Sequence, residues 1–190
     1  MSELRQRAEA LLTKHSLTRV PVNIERMLSR KILDLSLVPI PGLRKTTGCF
    51  GFLSSDCTEI SVDEADMNRF PYQYRFTLAH EAAHFVLHKD VVLQCHAENI
   101  AQWSEHLRNE ALDDWTVMER QADEFARSLL VPAGPLREAV TPYIEQARAH
   151  KIDLRDLGRD ARKRIGIMLE PVFETPSHDI IMRLEDEDLP

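Results

Sequence analysis

Cysteine is scarce in this 190-residue chain. Cys49, Cys57 and Cys95 are odd in number and form no Cys-x-x-Cys pair. A disulfide framework is therefore excluded, and the thiols read as reduced ones in a cytoplasm. No apolar run approaches the roughly 20 residues that span a bilayer. Met1-Ser2-Glu3-Leu4-Arg5 lacks the apolar core of an export signal, so no membrane partner is expected. Basic residues are also short: 24 Lys and Arg face 31 Asp and Glu, a formal net charge of −7. That argues against direct nucleic-acid binding, which needs a positive surface. There is no internal repeat and no low-complexity tract. With 43% hydrophobic and 29% charged residues, the chain reads as globular, with one core and room for an appended subdomain.

A more local absence is informative. No Gly or Pro interrupts Gln73 to Val92, which reads as one helix. Within it lies His80-Glu81-Ala82-Ala83-His84. Residues four apart share a helix face, about 6 Å along the axis. Two imidazoles so placed can hold one Zn²⁺, and Glu81 can act as general base on a water beside it. A solvent-facing histidine pair is the plainer alternative, but these polar residues sit in an apolar helix. Burying them without a partner costs several kcal/mol, of order 2–7 per group.

A catalytic zinc wants a third protein ligand and an open position. Glu119 and Asp123 are again four apart, on a second helix read from about Asp114 to Val131 and stopped by Pro132. Glu119 completes the ligand set, and Asp123 accepts the outer N–H of a ligating histidine. Glu124 competes, but it is turned about 100° from Asp123, and only Glu119 leaves an acid one turn later. The plainer readings are a capping box, Thr116-x-x-Glu119, and a solvated Asp123.

The run Arg75-Phe76-Thr77-Leu78-Ala79-His80-Glu81-x-x-His84, then His88, then Glu119-x-x-Ala122-Asp123-x-Phe125-Ala126-x-x-Leu129-Leu130-x-Pro132 resembles the ImmA/IrrE family of zinc metallopeptidases. These are gluzincin-like proteins, and the match is strongest from about Ile60 to Pro132. The resemblance implies an α+β zinc protease. It also implies a protein substrate, since several members cut a helix-turn-helix transcriptional repressor in stress-response or mobile-element circuits. Ala82-Ala83 departs from the Leu-Gly or Ile-Ser often found between the histidines, a small-for-small change at the second position. The segment from His88 to Glu119 is long for the family, which bears on the cleft and not on the metal.

Elsewhere, Ser2 to His15 reads as an amphipathic helix capped by Ser2, and Ile24 to Arg30 as a helix capped by Asn23. Leu33 to Ile40, Cys49 to Leu53 and Thr58 to Val62 read as strands of a small antiparallel sheet, one of the latter two a candidate edge for an extended substrate. Arg44 to Gly48 and Asp63 to Tyr74 read as loops. Tyr72, Tyr74 and His88 are candidates for the cleft or for stabilising an oxyanion, though packing is the commoner role for the tyrosines. Ala97 to Leu112 reads as a helix whose Trp103 is core or a lid, and Cys95-His96 is a weak second metal pair. Helices follow at Leu136–Val140, Pro142–Lys151, Leu154–Ile165 and Pro176–Leu184, with a frayed tail at 185–188. Arg155, Arg159, Arg162, Lys163 and Arg164 read as a solvated basic face.

The expected organisation is a metallopeptidase domain at 1–135 and a helical extension at 136–190. The expected activity is zinc-dependent endopeptidase action with His80, His84 and Glu119 as ligands and Glu81 as base. The rival is a non-proteolytic zinc sensor or antirepressor that binds a regulator protein. A fourth protein ligand, His88 or Cys95, would favour that rival, because structural zinc sites are closed.

Overall fold

Ser2 starts the first helix as the sequence leads one to expect. Its hydroxyl accepts the Arg5 N–H at the head of α1 (Glu3–Lys14), satisfying a donor that a helix start leaves orphaned. Asn23 does the same for α2 (Ile24–Leu28), accepting from Arg26 N at 2.8 Å. The computed structural model describes residues 2–94, 112–154 and 158–190. The expected helix at 97–112, with Trp103, and the Cys95-His96 pair therefore lie outside the described residues.

Strands β1 (Ser36–Ile40), β2 (Gly51–Leu53) and β3 (Glu59–Asp63) form one sheet in the order β1-β3-β2. The α+β class holds, but the sheet is mixed and not antiparallel throughout. β2 and β3 are antiparallel, with Phe52 opposite Ser61, whereas β1 runs parallel to β3, with Val38 opposite Ser61. A parallel pair needs a long crossover. Residues 41–58 supply it, carrying β2 and a short helix, α3 (Leu43–Thr47). Helix α3 replaces the expected loop at Arg44–Gly48. It is bracketed by Gly42 and Gly48 at φ +72° and +80°, a left-handed conformation that favours glycine.

A second expected loop is also helical. Asp63 caps α4 (Glu64–Arg69) by accepting from Ala65 N at 2.9 Å, and it accepts from Arg44 N at 2.8 Å. Those backbone bonds hold the Asp63 carboxyl below its ordinary range, the Arg44 bond first. Helix α5 (Pro71–Gln94) begins on a proline, whose missing N–H costs nothing at that position.

Helix α5 is the spine of the molecule. It packs against β2, β3 and α6 (Leu112–Leu130). Ala79, Ala82 and Ala83 of α5 and Ala122 and Ala126 of α6 are fully buried, and such small side chains let two backbones approach closely. Leu12, Ile24, Ile60, Leu78, Phe125 and Leu129 join one core, which also takes in Phe173, Ile180 and Leu184 of the C-terminal helices.

After Pro132 a single helix, α7 (Ala133–Ala149), stands where two were expected. Pro142 lies inside it on the exposed side, where the carbonyl it leaves unpaired can meet water. Helix α8 (Arg159–Phe173) covers the expected Leu154–Ile165 from Arg159 onward and runs on beyond it, while 155–157, with Arg155 of the expected basic face, lie outside the described residues. The acidic tail is docked, not frayed. At the end of α9 (Ser177–Asp186), Asp186 meets Arg5 at 3.0 Å, and Glu187 pairs with Arg137 and with the fully buried Arg183. Arg183 Nε also donates to the Val131 carbonyl at 3.1 Å. No described helix is long and apolar enough to cross a membrane.

Candidate metal centre

One turn of α5 sets His80 and His84 side by side, with their Nε2 atoms 3.1 Å apart. Helix α6 brings Glu119 across. Its Oε2 lies 3.2 Å from His80 Nε2 and its Oε1 lies 3.1 Å from His84 Nε2. These three are the metal-holding group found among the described residues. Glu119 lies seven residues inside α6, so it does not act as the far end of a capping box. Glu124 is committed elsewhere, to the Ser2 hydroxyl and to Arg5 Nε at 3.1 Å, which ties α6 to α1.

The site draws in positive charge. Burial alone would raise the Glu119 carboxyl, but hydrogen bonds from His80 and His84 outweigh it and hold the group at about 2. Burial alone would lower His80, but bonds to Asp123 and Glu119 push it up to about 10. The donor set fits a metal by the same logic. Bonds of about 2.0–2.1 Å in a tetrahedron put ligand atoms roughly 3.3 Å apart, close to the observed 3.1–3.2 Å. Two imidazoles and one carboxylate leave a fourth position open.

Behind the ligands the side chains are tied in turn. Asp123 Oδ1 lies 2.9 Å from His80 Nδ1. His88 does not face the cleft. It is buried behind His84, with Nδ1 3.2 Å from His84 Nδ1 and Nε2 2.9 Å from Gln121 Oε1. Burial pushes His88 below its ordinary value.

Glu81 is 9% exposed and opens on the same cavity as the ligands, a space of about 330 Å³. Its Oε2 accepts the Leu53 N–H of β2 at 2.9 Å. Strand β2 runs close against α5, and Gly51 permits it. A Cβ there would lie 2.6 Å from Thr77 Cγ2 and 2.8 Å from the Ser61 carbonyl oxygen.

The tyrosines are not in this cavity. Tyr74 is turned to another face of α5, where its hydroxyl donates to Glu25 Oε1 at 3.0 Å, and burial and that carboxylate raise its pKa. Tyr72 does not line the cavity either. The sequence reading overlooked Trp115, whose ring stacks on His84 at 5.6 Å and 7°. The signal was there, since Trp115 precedes Glu119 by one helical turn.

Residues 68–155 match the model of the peptidase M78 family, the IrrE N-terminal-like domain. This segment is similar to the IrrE N-terminal-like domain. The ImmA/IrrE resemblance rests on the same helices, α5 and α6, and the match spans His80, Glu81, His84, Glu119 and Asp123. The IrrE-like domain supports a metallopeptidase-type function. A comparison with curated proteins gives no significant match.

Proposed function

We propose that this chain is a zinc-dependent endopeptidase acting on a protein substrate. The observation that carries the reading is the convergence of His80 Nε2, His84 Nε2 and the Glu119 carboxylate beside Glu81, all opening on one cavity. A bound zinc would polarise the scissile carbonyl and acidify water at the open position. Glu81 takes a proton from the attacking water and delivers it to the leaving amine nitrogen. With Oε2 held by the Leu53 N–H, Oε1 is the oxygen left for that proton. Phe52, Phe76 and Trp115 wall the cavity with apolar surface, which favours an apolar substrate side chain and excludes bulk water.

A helix-turn-helix repressor as the substrate, and a regulatory circuit around it, follow from the ImmA/IrrE resemblance. Glu81→Gln tests the chemistry. The variant is expected to keep metal and fold and to lose cleavage of a candidate repressor by at least 10²-fold. Full activity in Glu81→Gln would remove Glu81 from the mechanism.

A further inference from the structure

The cavity extends beyond the metal position along β2. Pairing with β3 runs on to Phe50, whose carbonyl accepts the Asp63 N–H at 3.2 Å. At one end of this stretch Leu53 meets Glu81, and at the other Phe50 meets Arg44. The two ends are about 10 Å apart at the rise of a strand. Phe50 lines the cavity and is 38% exposed, and Arg44 Cζ lies 5.1 Å from its ring centroid. The same guanidinium lies 5.4 Å from the ring of Phe70, which is 42% exposed. Arg69 Cζ lies 5.9 Å from that second ring. Two cations and two phenyl rings thus form a row at the Phe50 end of the cavity.

Arg44 is fixed at both ends of its residue. Its backbone N–H donates to Asp63 at 2.8 Å, and Nη1 lies 3.5 Å from Oδ2 of the buried Asp66. That oxygen makes no hydrogen bond, so the contact is ionic and leaves the donors of the fork unspent. A guanidinium resting on aromatic rings keeps its N–H edge for a carboxylate, which it can grip through two parallel bonds. The Arg44 side chain is 40% exposed, so a ligand can reach that edge. A row that served packing alone would bury its rings. Here both stay open to solvent beside the cavity, in a chain of net charge −7. We propose that Arg44 is a specificity-determining residue that binds an Asp or Glu side chain of the extended segment filling the cavity, about three residues from the peptide group beside Glu81. Phe52, Phe76 and Trp115 face the stretch between the two points, so the preferred segment is apolar at the cut and acidic at that distance.

This deepens the endopeptidase reading and rests on it, so the test reads binding as well as cleavage. The probes are decapeptides of otherwise mixed sequence with Glu or Gln at one fixed position. The zinc-loaded full chain should cut Glu peptides about tenfold faster in kcat/KM than Gln peptides, with the Glu three residues from the cut as placed by mass spectrometry. Arg44→Met should bring that Glu-to-Gln ratio to about one. Arg44→Lys keeps the charge beside Asp66 but not the fork, and its ratio should fall between the two. Fluorescence anisotropy on zinc-loaded Glu81→Gln should give the same ratio in binding, again lost with Arg44→Met. A wild-type ratio near one at that spacing overturns the proposal, whether or not the variants fold. So does a wild-type ratio in either folded variant, since a merely structural role for Arg44 lowers both peptides alike. Arg44-dependent preference in binding without any cleavage by the wild type supports the carboxylate site and removes only the endopeptidase reading. Cleavage without that preference removes the carboxylate site and leaves the endopeptidase.

Discussion

Asp179 and Arg127 join the C-terminal helix to the metal-centre helix. Asp179 Oδ1 lies 3.8 Å from Arg127 Nη1, and the same Nη1 lies 3.8 Å from Asp123 Oδ2. Asp123 in turn holds His80. Asp179 sits in the first turn of α9 and is 7% exposed. Burial first, and the nearby Asp123 second, outweigh Arg127 and His178 and push its carboxyl up to about 6. The sign follows from linkage. Between its ordinary 3.8 and about 6 the unfolded chain ionises Asp179 and the folded chain does not. Its contribution to stability is therefore greatest below about pH 4, falls as pH rises to about 6, and is flat above. The fall amounts to about 3 kcal/mol. Urea unfolding of wild type and Asp179→Asn from pH 4 to 8 should show the wild type losing ground to the variant across that window. A difference that does not change with pH would mean that Asp179 ionises as an ordinary surface acid.

The ligand set predicts a graded metal series. Glu119→Ala removes one of three ligands, so the purified variant should hold almost no zinc where the wild type holds one per chain. Asp123→Ala leaves all three ligands and removes the tie to His80, together with the contact to Arg127. It should bind zinc about 10–100-fold more weakly. Elemental analysis and chelator competition measure both. Full zinc content in Glu119→Ala would place the third ligand elsewhere.

Two glycines predict opposite effects. Gly51→Ala drives a methyl into Thr77 and the Ser61 carbonyl and pushes β2 off α5. Overpacking of this kind costs about 1–3 kcal/mol. It should also lengthen the Leu53-to-Glu81 bond, lowering kcat more than it changes KM. At Gly134, inside α7, an added Cβ meets nothing within 4 Å. Gly134→Ala should therefore stabilise by about 0.5–1 kcal/mol. Denaturant midpoints of the two variants check the signs.

Trp115 reports on the centre it stacks against. Adding zinc to the metal-free chain changes the charge of the imidazole lying 5.6 Å from the indole. Trp115 emission should shift on titration, and the shift should survive Trp103→Phe and vanish in Trp115→Phe. A zinc-dependent change lost with Trp103→Phe instead would assign the signal to the other tryptophan.

The pairs His80/His84 and Glu119/Asp123 were legible because each depends on one local rule, the return of a helix face every four residues. That rule also explains the caps at Ser2 and Asn23, which act within three residues. It does not extend to α3 and α4. Helices of five and six residues are too short to stand on propensity, and here Asp63 supports both, capping α4 and accepting from Arg44 N in α3. Nor does it extend to β1, whose parallel pairing depends on a crossover that no local pattern encodes. Pro142 read as a boundary because proline usually breaks a helix, yet in α7 the exposed position lets water satisfy the freed carbonyl.

By itself the sequence determined which residues can share a helix face, and hence that two imidazoles, a carboxylate base and a second pair of acids exist at the spacing a metal needs. Only the tertiary structure decided what those residues meet. It set Glu81 on the Leu53 N–H, turned Tyr74 away to Glu25, put His88 behind His84 and not in the cleft, and tied the acidic tail to Arg5, Arg137 and Arg183. The physical reason is distance along the chain. Periodicity acts over a turn or two, whereas a hydrogen bond between α5 and β2, or an ion pair between α1 and α9, exists only once the packed core has brought the two segments within about 3 Å.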